Sequence, residues 1–355
     1  MRRRMRDLLR HFKGSLAVTV VGLGLGAVLG WNQHRSISGA GEVAFLVAVL
    51  AVLEISISFD NAVVNATVLR TMSPVWRHRF ITWGIAIAVF GMRLLFPLGV
   101  VSAVAHVSPG EALRLATLEP GEYARILASA HHVLGAFGGA FLGLVSLRFF
   151  FDASKNVHWL VAIEKRLAEL GRVRAIEIGL VLGVIWVFSR LVPEVEDHAY
   201  LSAGVLGIVT YIAVDGASAF MEARSGDLPS AGRSGLASFV YLEVLDATFS
   251  FDGVIGAFAI TKELLVIAIG LGVGAMFVRS LTVLLVEQEA FDEFRFLEHG
   301  AFWAIGALAI MMFVGTVMAV PEVVTGLVGA VLIGLSLWSS VRYRARAAAG
   351  RARAG

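Results

Sequence analysis

Residues 53–66 read LEISISFDNAVVNA, and residues 242–257 read LEVLDATFSFDGVIGA. Aligning the Ser-Phe-Asp triplet that both stretches share superimposes Asp60 on Asp252. In each copy a second carboxylate stands six residues before this aspartate, and hydroxyl side chains lie between the two acids. Both copies sit inside long apolar runs, where an acidic side chain is costly. The duplication therefore predicts that these acids have a function.

The composition indicates a membrane protein. Of the 355 residues, 57% are hydrophobic and only 16% are charged, and the mean hydropathy is +0.79. Soluble domains contain about 25% charged residues. The chain has no cysteine, which excludes disulfides, thiolate metal sites and cysteine nucleophiles. We therefore expect an all-α, polytopic transmembrane helical bundle formed by one membrane domain, residues 1–355.

Ten stretches approach the roughly 20 apolar residues that a membrane span needs. The fifth is short and a brief turn separates the last two, so nine spans are also compatible with the sequence. The predicted spans are 15–31, 42–69, 80–105, 128–150, 175–191, 200–222, 236–260, 264–286, 300–319 and 322–341. Between the fourth and fifth, the segment around Trp159 and Glu164 predicts an amphipathic helix at the inner membrane surface.

Charge distribution predicts the orientation. The tails 1–13 and 342–355 are rich in arginine, which places both termini in the cytoplasm and the protein in the inner cell membrane. The two acidic stretches then lie on oppositely directed helices, because an odd number of crossings separates them. Similar motifs on antiparallel helices are typical of transporters built from inverted repeats. We expect a first repeat at about 15–191 and a second at about 200–341.

A straight helix turns about 100° per residue, which places four polar residues of the first copy on one stripe, about 60° wide. These residues are Glu54, Ser58, Asn61 and Asn65. Asp60 lies about 120° away from this stripe, and Asp252 is displaced in the same way in the second copy. Either the helices unwind locally near Ser58 and near Ser250, or the two displaced aspartates bind neighbouring helices. We favour unwinding, because broken helices are common at transporter binding sites.

The acids of the two copies are candidates for binding a cation. Each ionised carboxylate costs about 2.5–3.5 kcal/mol at the centre of a span, so five of them need counter-charge. Oxygen ligands without thiolate favour Mg²⁺, Ca²⁺ or Mn²⁺. The predicted metal ligands are Glu54, Asp60, Asn61, Glu243, Asp246 and Asp252, with Ser58, Asn65, Thr248, Ser250 and Asp215 in support. The alternative is that the acids pair with Arg93 or cap neighbouring helices.

The two acidic stretches resemble the signature segments of TerC-type integral membrane proteins, and most closely their larger branch, long described as a domain of unknown function. Weaker similarity extends over residues 40–340. The resemblance implies a LysE-like transporter fold, metal-ion homeostasis with manganese export, and the historical association with tellurium resistance. Residue by residue, it assigns Glu54, Asp60 and Asn61 to the first segment and Asp246 and Asp252 to the second, with Glu243 beside it. Gly253 departs from the family, where serine is common.

We therefore expect a transporter, not an enzyme, that moves a divalent cation, most simply Mn²⁺, out of the cytoplasm, with protons as a candidate counter-ion. Two alternatives stay open. One is a non-transporting membrane subunit in a stress response. The other is an intramembrane metalloenzyme that uses His131, His132 or His299. No nucleotide-binding motif is present, and the basic tails do not indicate a nucleic-acid partner.

Overall fold

The computed structural model describes residues 2–224, 235–288 and 290–354, and within these ranges the chain is helical without any strand. The predicted all-α polytopic bundle is thus confirmed. In chain order the helices are α1 Arg2–His34, α2 Ile37–Ile57, α3 Phe59–Leu69, α4 Pro74–Ala86, a π-helical segment Ile87–Leu95, α5 Phe96–Val104, α6 Pro109–Leu118, α7 Pro120–Ser129, α8 His131–Phe150, α9 Val161–Leu170, α10 Ile176–Ser189, α11 Glu194–Arg224, α12 Gly235–Ile260, α13 Leu264–Glu287, α14 Ala290–Glu293, α15 Leu297–Gly315 and α16 Glu322–Ala354.

The chain divides into two compact units. Unit 1 contains residues 1–134 and 216–284, and unit 2 contains residues 135–215 and 285–355. Each of the two repeats predicted from the sequence contributes to both units, so the units do not coincide with the repeats. The apolar core of unit 1 is formed by α2, α5, α6, α7, α12 and α13, with Leu50, Val101, Tyr123 and Ile267 fully buried.

Seven helices in the described ranges are long and apolar enough to cross a membrane, and a pair bent by 107°, Phe90–Val104 with Pro109–Leu118, could form an eighth span. The sequence predicted nine or ten. Two spans account for much of the difference. The fifth forms α10, a helix of only 14 residues, and α12 has the length of a span but contains three acids, Glu243, Asp246 and Asp252. A count based on length and apolar composition therefore misses a span that contains several acids.

The prediction of local unwinding holds for one copy of the motif only. The first copy is interrupted at Ser58, which separates α2 from α3 and has φ −104° and ψ 16°. The second copy lies within α12, which is continuous from Gly235 to Ile260, so the predicted break near Ser250 is wrong. Gly253 permits a break but does not require one, because the apolar residues around it pack favourably as a helix.

Arg93 lies in the π-helical segment that joins α4 to α5. The N–H of Phe96 donates to the carbonyl of Gly91, five residues earlier, as a π-helix requires. The next residue, Pro97, has no N–H to donate to the carbonyl of Arg93 four residues earlier. Such π segments are rare and occur frequently at functional sites.

Two glycines on α13 allow it to approach α2 closely. A Cβ built on Gly274 would lie 2.5 Å from Glu54 Cβ, and one on Gly270 would lie 2.5 Å from Leu50 Cβ. Small residues four apart permit this close helix packing in membranes. The packing fixes the position of Glu54 relative to α13.

We expect Gly274→Ala to destabilise unit 1 by about 1–3 kcal/mol, because the added methyl group overpacks the α2–α13 contact. Thermal unfolding of the purified protein in detergent measures the effect. Gly41→Ala is the matched control, since a Cβ there meets no atom within 4 Å. Equal melting temperatures for both variants would contradict the packing described here.

Candidate functional site

Glu54 and Arg93 form a buried ion pair in unit 1. Arg93 Nη2 donates to Glu54 Oε1, and the side chains of the two residues are only 3% and 1% exposed. Ser58, at the break between α2 and α3, donates its hydroxyl to the same carboxylate oxygen over 3.1 Å. The pair brings together α2 and the π-helical segment, so the alternative reading of the sequence, in which Arg93 neutralises an acid, holds for Glu54.

Asp246 on α12 joins this pair. Its Oδ2 lies 3.9 Å from Arg93 Nη1, and its Oδ1 accepts a hydrogen bond of 2.7 Å from Asn61 Nδ2. One guanidinium therefore lies between carboxylates contributed by the two copies of the motif. Glu54, Asn61 and Asp246, all predicted as metal ligands, thus lie in one group in which an arginine side chain links the two acids.

A cavity of about 30 Å³ adjoins Asp246. A water molecule needs roughly 10–15 Å³ of such space, so the cavity has room for one or two waters or for a small ion. Its wall includes Asn61, Asn65 and Glu243. Asn61 Oδ1, Asn65 Oδ1 and Glu243 Oε1 are buried and have no hydrogen-bond partner among the described residues. The wall thus presents oxygen acceptors that a cation or a water could satisfy.

Asp60 lies apart from this group, at the start of α3. It is 5% exposed, and its Oδ1 accepts a hydrogen bond of 2.9 Å from the N–H of Asn61. A helix N-terminus stabilises a carboxylate through its unpaired N–H groups and its dipole. Asp60 does not line the cavity. The break at Ser58 therefore supplies a helix terminus for Asp60 and does not turn it toward Glu54.

The remaining predicted residues have different surroundings. Thr248 donates its hydroxyl to the carbonyl of Val244 on its own helix, so that donor is already used. Ser250 is buried, and its hydroxyl has no partner among the described residues. Asp215 is exposed on α11 in unit 2. The side chain of Asp252 lies outside the described residues.

Gly253 on α12 lies close to residues of α2. A Cβ built on Gly253 would lie 3.2 Å from Glu54 Oε2 and 3.0 Å from the Cδ1 of Ile57. The Glu54 carboxylate therefore lies beside the backbone of α12 where a serine side chain would begin. Glycine at this position allows the close approach of α2 and α12.

Sequence reasoning missed Arg279 and Thr282 on α13, both of which line the cavity. Arg279 Nη2 donates to the carbonyl of Phe80, and its guanidinium lies 5.0 Å from the centre of the Phe80 ring. The available signal was the position of Arg279 within the predicted span 264–286. An arginine inside a span is as costly as an acid and needs a partner.

Within the described ranges, no three histidine or carboxylate side chains converge in a way that could hold a metal ion. Around the cavity the acids are instead interleaved with Arg93 and Arg279. The rings of His131 and His132 lie 6.2 Å apart in unit 1.

Comparison with known families identifies one match. The profile described as "Protein of unknown function (DUF475)" matches residues 59–347. The chain belongs to the DUF475 family. The match begins after Glu54 and includes Asp60, Asp246 and Asp252. Searches of curated proteins and of solved structures found no match.

Unit 2 of this DUF475 protein contains a buried carboxylate, Glu164, near the start of α9. The N–H groups of Trp159 and Leu160 donate to it over 2.9 and 3.2 Å. The indole of Trp303 donates over 3.0 Å, and His299 Nδ1 lies 2.9 Å from Glu164 Oε2. The predicted helix around Glu164 is confirmed, and Glu164 itself is buried, with 2% of its side chain exposed. The contacts of Glu164 with His299 and Trp303 hold α9 against α15.

Burial alone raises the pKa of Glu164, but the contacts with His299, Trp303 and the backbone outweigh it and hold the pKa at about 2. A lowered pKa means that the stabilisation is complete above about pH 4.5 and is lost as the pH falls toward 2. We expect the wild-type DUF475 protein to lose stability over this range and Glu164→Gln to lose less. Melting temperatures measured between pH 7 and pH 3 test this. Parallel curves for the two proteins would contradict it.

Proposed function

We propose that this protein transports a divalent cation, most simply Mn²⁺, across the cell membrane and out of the cytoplasm. The observation that carries the proposal is the cavity beside Asp246, which is lined by Asn61, Asn65 and Glu243, each with a buried side-chain oxygen that has no partner among the described residues. Buried acceptors are normally satisfied, and those without a protein partner mark a place for water or a cation. Carboxylate and amide oxygens are ligands for hard divalent ions.

The charges around the cavity constrain this function. Among the described side chains, three carboxylates face two guanidiniums. The acids are Glu54, Glu243 and Asp246, and the bases are Arg93 and Arg279. Arginine therefore supplies much of the counter-charge that the sequence assigned to a metal ion. The preference for a divalent cation rests on the oxygen ligands and on the resemblance to TerC proteins, which implies manganese export.

Protons are the natural counter-ion in this proposal. When the cation leaves, like charges at close quarters favour protonation of one carboxylate. Glu243 is the candidate for this role, because neither Arg93 nor a described hydrogen bond holds its Oε1. Proton entry as the cation leaves would complete an exchange cycle.

Cellular metal content tests the proposal. Cells that express the protein should contain less Mn²⁺ after a manganese load than cells without it, as measured by elemental analysis. The same measurement in cells that express Asp60→Asn or Asp246→Asn tests whether these two acids are needed for export. Equal Mn²⁺ content with and without the wild-type protein would contradict export.

The Arg93–Glu54 pair favours a second candidate function. Buried ion pairs can serve to hold helices in one arrangement, so the protein could be a non-transporting subunit of a membrane complex. In that case Glu243→Gln, which leaves the Arg93–Glu54 pair intact, would not change the phenotype of cells under metal stress. A lost phenotype in Glu243→Gln favours transport.

A further inference from the structure

Arg279 lies at the edge of the candidate cation site without contacting its acids. Its Nη2 donates to the carbonyl of Phe80 on α4, and the guanidinium packs beside the ring of the same residue. Its Nε is buried and has no hydrogen-bond partner among the described residues. A buried guanidinium with an unused donor is held incompletely in this position.

Glu243 presents the complementary group on the same cavity. Its Oε1 is buried and lacks a donor among the described residues. A Cβ built on Gly84 would lie 3.2 Å from Glu243 Oε1 and 3.5 Å from Arg279 Nη1. Both atoms are thus within 3.5 Å of one point, yet no described hydrogen bond joins them. Glycine at position 84 keeps the space between them free of a side chain.

Electrostatic attraction draws Arg279 toward the acids. Glu243 and Asp246 both interact favourably with its guanidinium, whereas at Phe80 it has only a carbonyl oxygen and an aromatic ring. An arginine side chain is long and flexible, so it can exchange the Phe80 carbonyl for a carboxylate without movement of α13. A guanidinium prefers carboxylates because it binds them with paired hydrogen bonds.

We propose that Arg279 is a built-in competitor of the transported cation. The guanidinium exchanges between the Phe80 carbonyl, where it lies in this structure, and the carboxylates of Glu243 and Asp246. A cation that enters the cavity takes these carboxylates and holds the guanidinium at Phe80. This inference rests on the proposed function and adds a regulatory residue to the same site.

The competition defines what can bind. A cation must interact with Glu243 and Asp246 more favourably than a tethered guanidinium does, which a compact divalent ion achieves and a large monovalent ion does not. Between transport cycles the guanidinium neutralises Asp246 while the proton taken up by Glu243 neutralises the second acid. The site can therefore return without a bound metal and without two exposed charges in the membrane.

Mn²⁺ binding to the purified full-length protein in detergent, measured by titration calorimetry, tests the proposal. The variant is Arg279→Met, which keeps an unbranched apolar stem and removes the guanidinium that competes. Coupling between ligands typically changes affinity by about 5–150-fold, so we expect Arg279→Met to bind Mn²⁺ at least about fivefold more tightly than the wild type. Free guanidinium ion should weaken binding to Arg279→Met more than binding to the wild type.

The possible outcomes separate this inference from the proposed function. Binding only by Arg279→Met would support the competition in its strongest form. Equal or weaker binding by Arg279→Met, when the wild type binds, overturns the inference and leaves transport intact. Absence of Mn²⁺ binding by both proteins overturns both proposals. Arg125→Met, which replaces an arginine whose side chain is 71% exposed, is the control and should bind Mn²⁺ as the wild type does.

Discussion

Replacing Arg93 with methionine is expected to destabilise the protein by about 3–5 kcal/mol, the usual cost of removing one partner of a buried ion pair. The carboxylate of Glu54 would lose its donor at a position that is 1% exposed, and Asp246 would lose its nearest described cation. The free energy of unfolding in detergent, or the yield of folded protein, measures the effect. This is the largest stability change that we expect from a single substitution.

Two further variants keep this prediction testable if Arg93→Met does not fold. Adding Glu54→Gln should restore much of the stability, because a neutral amide costs less to bury than an unpaired carboxylate. Arg114→Met replaces an arginine on α6 that is 60% exposed and should have little effect. If Arg93→Met were as stable as Arg114→Met, the Arg93–Glu54 pair would not hold the bundle together.

Replacing Asp246 with asparagine should have the largest effect on cation binding. Asp246 contacts Arg93 and Asn61 and lines the cavity, so it connects the ion pair to the candidate ligands. Hydrogen bonds to charged groups contribute about 1.5–3 kcal/mol, which corresponds to a loss in Mn²⁺ affinity of about 10- to 150-fold. Titration of the purified variant with Mn²⁺ measures this loss. Asparagine has nearly the same shape, so the fold should persist.

Glu42→Gln is the matched control for Asp246→Asn. Glu42 is exposed on α2, and its substitution also removes one negative charge. A comparable loss of affinity in both variants would show that net charge, and not the geometry around Asp246, determines binding. An unchanged affinity in Asp246→Asn would place the cation elsewhere.

The sequence predicted the class of fold and much of the site because both leave local signals. Long apolar runs predict membrane helices, and buried acids among them identify the segments with a function. The helical stripe predicted the shared face of Glu54, Ser58 and Asn61, and the structure joins Glu54 to Ser58 and Asn61 to Asp246. The sequence also predicted that Asp60 is displaced from this stripe. The structure agrees, because Asp60 lies at the start of α3 and does not line the cavity.

The features that the sequence did not predict depend on contacts between distant segments. The role of Arg279 requires that α13 pack against α2 and α4, which the glycines of α13 and Gly84 permit but do not specify. The continuity of α12 likewise depends on packing, because Gly253 favours a break only in isolation. The position of Arg93 between two acids required the π-helical segment, which has no strong signature in sequence.

Transport of Mn²⁺ by the purified protein in liposomes is the most direct test of the central claim. Liposomes that enclose a metal-sensitive dye report Mn²⁺ entry after external Mn²⁺ is added, with a proton gradient imposed in either direction. We predict entry with the wild type that exceeds that of protein-free liposomes, depends on the proton gradient, and is lost in Asp246→Asn. Wild-type liposomes that take up Mn²⁺ no faster than protein-free liposomes would contradict the account.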